Sequence, residues 1–141
     1  MSSRRAPSIL ESFNYAFEGV IHVLRTQRNM RIHFAIAVAV LVIAVAVGVS
    51  RVELIVLLLS ITFVLVSEMI NTAIEGTIDA ATTSFDPMAK LAKDIAAGAV
   101  LISAVNAVAV GYLVFAGKAA DKSAEARAVF ERRGDPRDTG G

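Results

Sequence analysis

The apolar run Leu54-Ile-Val-Leu-Leu-Leu-Ser-Ile-Thr-Phe-Val-Leu-Val66 passes without turn or breaker into Ser67-Glu-Met-Ile-Asn-Thr-Ala-Ile-Glu75-Gly-Thr-Ile-Asp79. It reads as one helix that crosses a membrane and carries acids out at its far end. At about 100° per residue, Glu68, Glu75 and Asp79 fall within about 40° of one another, flanked by Asn71 and Thr72. Met69, Ile70, Ala73, Ile74 and Ile78 occupy the other sides, so the acids are expected on one face and the apolar residues elsewhere. A carboxylate near the bilayer centre costs roughly 2.5–3.5 kcal/mol on insertion scales, which makes a boundary Glu a functional candidate by default.

Composition agrees with a membrane location. Of 141 residues, 55% are hydrophobic and only 19% charged, and the mean hydropathy is +0.62, unlike an ordinary soluble domain. Three segments are long enough to span about 30 Å of hydrocarbon: about 32–49, 54–78 and 95–116. The N-terminus lacks the basic stub, apolar core and small-residue cleavage site of a signal peptide, so the first apolar segment is expected to stay. The absence of Cys excludes disulfides and thiolate metal sites. A net charge of +1 without a basic cluster gives no reason to expect a nucleic-acid partner.

Outward from the acidic stretch, residues 1–7 are short, polar and basic, and are expected to be disordered. Over 8–29, Ile9, Leu10, Phe13, Ala16, Phe17, Val20, Ile21 and Leu24 recur at three- and four-residue steps, predicting an amphipathic helix lying in the membrane interface. Arg25 to Arg31 links it to the first span. Ser50 to Glu53 is so short a turn that the second span returns antiparallel to the first. Thr82 to Pro87 breaks the second helix, and Asp86 or Ser84 is placed to cap a short helix over 89–94. In the third span, Ala96, Ala97, Gly98 and Ala99 permit close helix approach, while Ser103 and Asn106 can bond across helices. Residues 118–141 form a polar tail, flexible or partly helical. Lys and Arg divide evenly, seven to each side, so charge bias does not set the orientation.

Glu68 and Glu75 lie roughly 10 Å apart along a helix axis, too far to share a proton but suited to separate tasks. Glu68, the deeper, can serve as a general base toward a lipid hydroxyl. Glu75 and Asp79 can hold Mg²⁺, which takes one or two carboxylates and completes its shell with phosphates and water. Lys93, beside Asp94 before the third span, can neutralise a phosphate. No GxxxxGK[ST] loop, Gly-rich kinase loop, HRD or DFG element is present. On spacing alone, three readings stay open: a lipid-active enzyme, acids paired structurally with Lys90, Lys93 or Arg31, and a proton or ion pathway.

The segments Ser12 to Gly19, Arg25 to His33, Glu68 to Glu75 and Ala89 to Val100 together resemble the prokaryotic diacylglycerol kinase family, which includes undecaprenol kinases. The most specific part is Glu-x-x-Asn-x-x-x-Glu-x-x-x-Asp followed by Ala-Lys-Asp, and the resemblance covers about 8–117. It implies an all-α membrane protein, a homotrimer of three-span subunits with an N-terminal surface helix. It further implies a multi-pass place in the inner membrane, with active sites open to cytoplasmic MgATP and to diacylglycerol or undecaprenol. By position, Glu68 corresponds to the general base and Glu75 to a metal ligand. Asn71, Asp79, Lys93 and Asp94 match the polar active-site set, with Lys93 and Asp94 on the nucleotide side. Tyr15 and the loop Ser84, Phe85 and Asp86 match nucleotide contacts. Gln27 stands where the family has a second metal-binding Glu; its carbonyl can ligate Mg²⁺ but brings no charge. Asp86 stands where His is common. His22 and His33 lie at or near the membrane boundary and are not expected to be catalytic.

Overall fold

The computed structural model describes residues 8–133, which form helices joined by short connections, with no strand among them. The expectation of a disordered 1–7 and the last part of the tail, 134–141, lie outside the described residues. Four helices follow in order: α1 (Ile9–Thr26), α2 (Arg28–Val47), α3 (Arg51–Ala81) and α4 (Pro87–Arg133).

Local chemistry sets most of these ends. Ser8 opens α1 with a capping box: its hydroxyl accepts from the Glu11 N–H, and the Glu11 carboxylate accepts from the Ser8 N–H at 2.6 Å. Those Ser8 hydrogen bonds, backbone first, hold the Glu11 carboxyl below its ordinary value. The cap is therefore complete at neutral pH and is lost as pH falls through that lowered value. Ser50 and Glu53 repeat the box at the start of α3. Between them α2 ends at Gly48, whose φ of 72° lies in the left-handed region. The Gly48 N–H donates to the Val45 carbonyl and the Val49 N–H to that of Ala44, a Schellman closure that turns the chain straight into α3.

The junction of α1 and α2 is tighter than the sequence suggests. Instead of a linker over Arg25 to Arg31, only Gln27 leaves the helical region, with φ −95° and ψ 120°. Arg28 to Arg31 form the first turn of α2, because nothing in them breaks a helix. The third span likewise has no separate helix before it or stop after it. Asp86 caps α4 by accepting from the Met88 and Ala89 N–H groups at 2.7 and 3.2 Å, and the helix then runs 47 residues through the tail to Arg133. Its Ala-rich continuation contains no Pro or Gly between Lys118 and Arg133 to end it.

α2, α3 and α4 are each long and apolar enough to cross a membrane; with the family assignment below, they make this a membrane protein. At about 1.5 Å per residue, the 31 residues of α3 extend roughly 46 Å, well past the hydrocarbon layer. The pairing of α3 with α4 is the most extensive, and α2 packs on α3. The seam between α2 and α3 advances seven residues at a time. Met30, Ala37 and Ala44 are the buried residues of α2, and Leu57, Val64 and Asn71 are spaced alike on α3. Ala44 packs against Leu57 and Val114. Antiparallel steps of seven then set Ala37 level with Val64 and Met30 level with Asn71. The two alanines let the backbones approach, which matters because lipid gives apolar side chains little reason to prefer one another.

Candidate active site

The acidic face of α3 turns inward at Glu68 and Asn71. Leu57, Ser60, Val64, Glu68 and Asn71 form one buried stripe, while Leu59, Phe63, Val66 and Ile70 are exposed. The expected separation of acids from apolar residues holds, with Glu68 and Asn71 packed inside and large apolar side chains exposed, while Asp79 at the far end of the stripe is exposed. That is the stable arrangement where the surrounding solvent is hydrocarbon.

Glu68 is 2% exposed. One turn on, Asn71 is also buried, and its side-chain amide donates to Glu75 Oε1 at 3.0 Å. Asn71 Oδ1 is buried without a partner. The pair follows from their four-residue spacing, and it turns the Glu75 carboxylate to a fixed direction beside an unsatisfied amide oxygen. Extending the seam one turn past Met30 and Asn71 brings Gln27, at the elbow, to the depth of Ile74 and Glu75. Gln27 makes no side-chain cap bond there. Glu75, Asn71 Oδ1 and the Gln27 side-chain carbonyl are the oxygen donors at this end of the two helices, and only Glu75 is charged. The described residues contain no group of three or more His, Cys, Asp or Glu able to hold a metal unaided. Such a set fits a hard divalent cation that arrives mostly liganded by phosphates and water.

Further along α3, Asp79 forms an ion pair with Lys93 of α4. Asp79, Ser84, Phe85, Asp86 and Lys93 all line one cavity of about 230 Å³, together with Ile78, Thr82, Ala89 and Lys90. Five residues proposed from sequence for the nucleotide side thus meet at one place. Three details differ from expectation. The Lys93 ammonium is engaged by Asp79, so one of the structural pairings left open by spacing is real. A pair this exposed is worth about 0–1 kcal/mol, little enough for a phosphate to displace. The Asp86 Oδ1 is committed to capping α4. Asp94 bonds Lys90 at 2.5 Å on the surface of α4 and is not brought to the cavity. Tyr15 is not brought there either; it is exposed on α1.

Beside Glu68, a hydroxyl pair joins the two long helices. Ser103 donates to the Ala99 carbonyl, so the 2.9 Å contact between Ser67 and Ser103 is donated by Ser67. Ser103 was legible as a possible interhelix bond, but Ser67 was not, since nothing local gives it a partner 36 residues away. Asn106, the other candidate for such a bond, is exposed instead. Ser67→Ala is expected to weaken the α3–α4 contact by about 0.6–1.7 kcal/mol, measured as an earlier unfolding midpoint on SDS titration of the purified protein. An unchanged midpoint would show that the hydroxyl pair contributes nothing.

Residues 14–115 match the family described as prokaryotic diacylglycerol kinase. The chain belongs to this family. Its diacylglycerol kinase region contains every site candidate from Tyr15 to Asp94, and the continuation of α4 beyond Phe115 lies outside it. The chain is 44% identical over 107 residues to the diacylglycerol kinase of Synechocystis sp., a match covering 75% of this chain and 61% of that protein. It is 42% identical over 105 residues to the undecaprenol kinase of Bacillus subtilis, covering 74% of this chain and 85% of that protein. Within the prokaryotic diacylglycerol kinase family, two such relatives carry different lipid names, so family membership alone does not select the acceptor.

Proposed function

We propose that the chain is an integral membrane lipid kinase, transferring the γ-phosphoryl group of ATP to the hydroxyl of diacylglycerol or undecaprenol. The observation that carries this reading is the single inward stripe of α3. It runs from Glu68, buried at membrane depth, through the Asn71–Glu75 pair, to the cavity at Asp79 and Lys93. An acceptor held in the bilayer and a donor held in water must meet across that boundary, and the stripe crosses it.

In this reading Glu68 accepts the proton of the lipid hydroxyl as that oxygen forms its bond to the γ-phosphorus. The bond from the γ-phosphorus to the bridging oxygen breaks, its electron pair stays with ADP, and the Glu68 proton later passes to water. Asn71 orients Glu75, and Glu75 with Gln27 would hold Mg²⁺. When bound, that ion neutralises charge on the transferring group. Lys93 exchanges Asp79 for a phosphate oxygen, and Ser84, Phe85 and Asp86 border the nucleotide, with Tyr15 and Asp94 as outer contacts. Most of the acceleration comes from positioning and charge neutralisation.

Residues 8–117 form the catalytic membrane domain, and 118–141 are an appendage to it. α1 exposes Leu10, Phe13 and Phe17, side chains that suit a helix lying on the membrane surface and bordering the site where lipid enters. The protein is a homotrimer of the inner membrane with its acidic end in the cytoplasm, where ATP is. Asn106, exposed in mid-span, supports an oligomer: lipid cannot satisfy its amide, whereas a neighbouring subunit can. Neither the family nor its two relatives favours the alternative of an ion or proton conductor. The test is transfer from labelled ATP by the purified protein in mixed micelles, offering diacylglycerol and undecaprenol separately. Label in one lipid is expected, and it names the acceptor. Label in neither, from folded protein with Mg²⁺ present, would exclude the kinase reading.

A further inference from the structure

A base must be ionised, and the surroundings of Glu68 do little to make it so. The hydrogen bonds nearby go to its own carbonyl, from Thr72, and to Glu75, from Asn71. A buried carboxylate without a partner is costly as a charge and is useless as a base when neutral. α4 offers no charge, since it has no ionisable acid or cation between Asp94 and Lys118. α3 offers only Glu75, of the same sign. On α1 and the first turn of α2, the charged and titratable groups Glu18, His22, Arg25, Arg28 and Arg31 are exposed.

His33 is different. The seam that sets Ala37 level with Val64 and Met30 level with Asn71 sets His33, midway between, level with Glu68. The side chain is half-buried and lines the cavity of about 360 Å³ between α2, α3 and α4 together with Ala37 and Val64, so it lies on the α3 side of its helix.

We propose that His33 is the positioning residue for Glu68: its imidazole offers the carboxylate an N–H that α3 and α4 do not provide. The carboxylate is thereby turned toward the lipid hydroxyl. This assignment rests on the lipid-kinase reading and adds to it a residue from a different helix.

The test compares His33→Leu and His33→Gln with the wild-type chain, in the same micelles and with the acceptor that wild type labels. His33→Leu is expected to lower kcat about tenfold or more with KM for ATP and for lipid within about twofold of wild type, and His33→Gln, which keeps an N–H, to recover part of the loss. In a Glu68→Asp background, which retains a weaker base, His33→Leu is expected to cost much less than it does alone, because the two act as a unit. Unchanged kcat in His33→Leu overturns the assignment. So does an equal loss in Leu and Gln variants, a rise confined to KM, or full additivity with Glu68→Asp. SDS unfolding midpoints are measured alongside, and a drop matching the activity loss assigns His33 to packing and overturns the proposal. A wild-type chain that labels neither lipid removes the kinase reading itself, a result distinct from any of these.

Discussion

Glu68→Gln is expected to lower kcat for phosphoryl transfer to lipid by about 10²–10⁴, the usual contribution of a general base, while KM for ATP stays near that of wild type. The substitution preserves the volume of a side chain that is only 2% exposed, so the packing of α3 against α2 and α4 has no reason to change. It removes the one capacity the site needs there, the ability to take a proton. Stability is expected to move the other way. A neutral amide sits at lower cost than a carboxylate at membrane depth, so the variant should resist SDS as well as wild type or better. Loss of turnover without loss of stability is the signature of a residue retained for function at some expense to the fold. Transfer within about threefold of wild type, judged against a base's usual contribution, would remove Glu68 from the mechanism.

Glu75→Gln has the second largest expected effect, and its readout is the Mg²⁺ dependence. Glu75 is the only charged member of the oxygen set formed with Asn71 Oδ1 and Gln27, and its orientation comes from the Asn71 amide 3.0 Å away. Affinity for a hard cation follows the number of charged ligands and the rigidity of the site. Removing the one carboxylate is therefore expected to raise the Mg²⁺ concentration for half-maximal activity by about tenfold or more. Gln27→Glu, which adds a carboxylate at the depth of Glu75, is expected to lower it. Unaltered Mg²⁺ dependence in Glu75→Gln would show that the ion is held by the nucleotide and other residues, and would leave the Asn71–Glu75 pair as a structural bond.

Much of the site was legible because its residues lie on one helix or next to a helix end. The stripe of Glu68, Asn71, Glu75 and Asp79 follows from periodicity, and the capping role of Asp86 from the Pro that follows it. The Asp79–Lys93 pair was one of three structural pairings that spacing allowed. Other features were not legible. Asp94 shares the Ala-Lys-Asp motif with Lys93, yet successive helical residues point about 100° apart, and Asp94 turns to Lys90 on the surface. Ser67 lacks any local sign of its partner. Asn106 reads as interhelix glue in a linear pattern, but α3 packs against a different side of α4 and leaves it exposed.

The sequence by itself determined that three helices are long and apolar enough to span a membrane, and that one carries acids on a single side. These are properties of runs of neighbouring residues: apolar length and the 3.6-residue period. Only the tertiary structure decided that Glu68 and Asn71 face inward, that Gln27 is the sole break between α1 and α2, and how α2 packs along α3. The physical reason is that hydrocarbon surrounds the spans. Apolar side chains are equally content against lipid or protein, so hydrophobicity does not mark the packed face. That face is set by where small residues such as Ala37 and Ala44 let backbones meet and where polar groups such as Ser67 and Ser103 find one another, and both depend on partners far away in the chain.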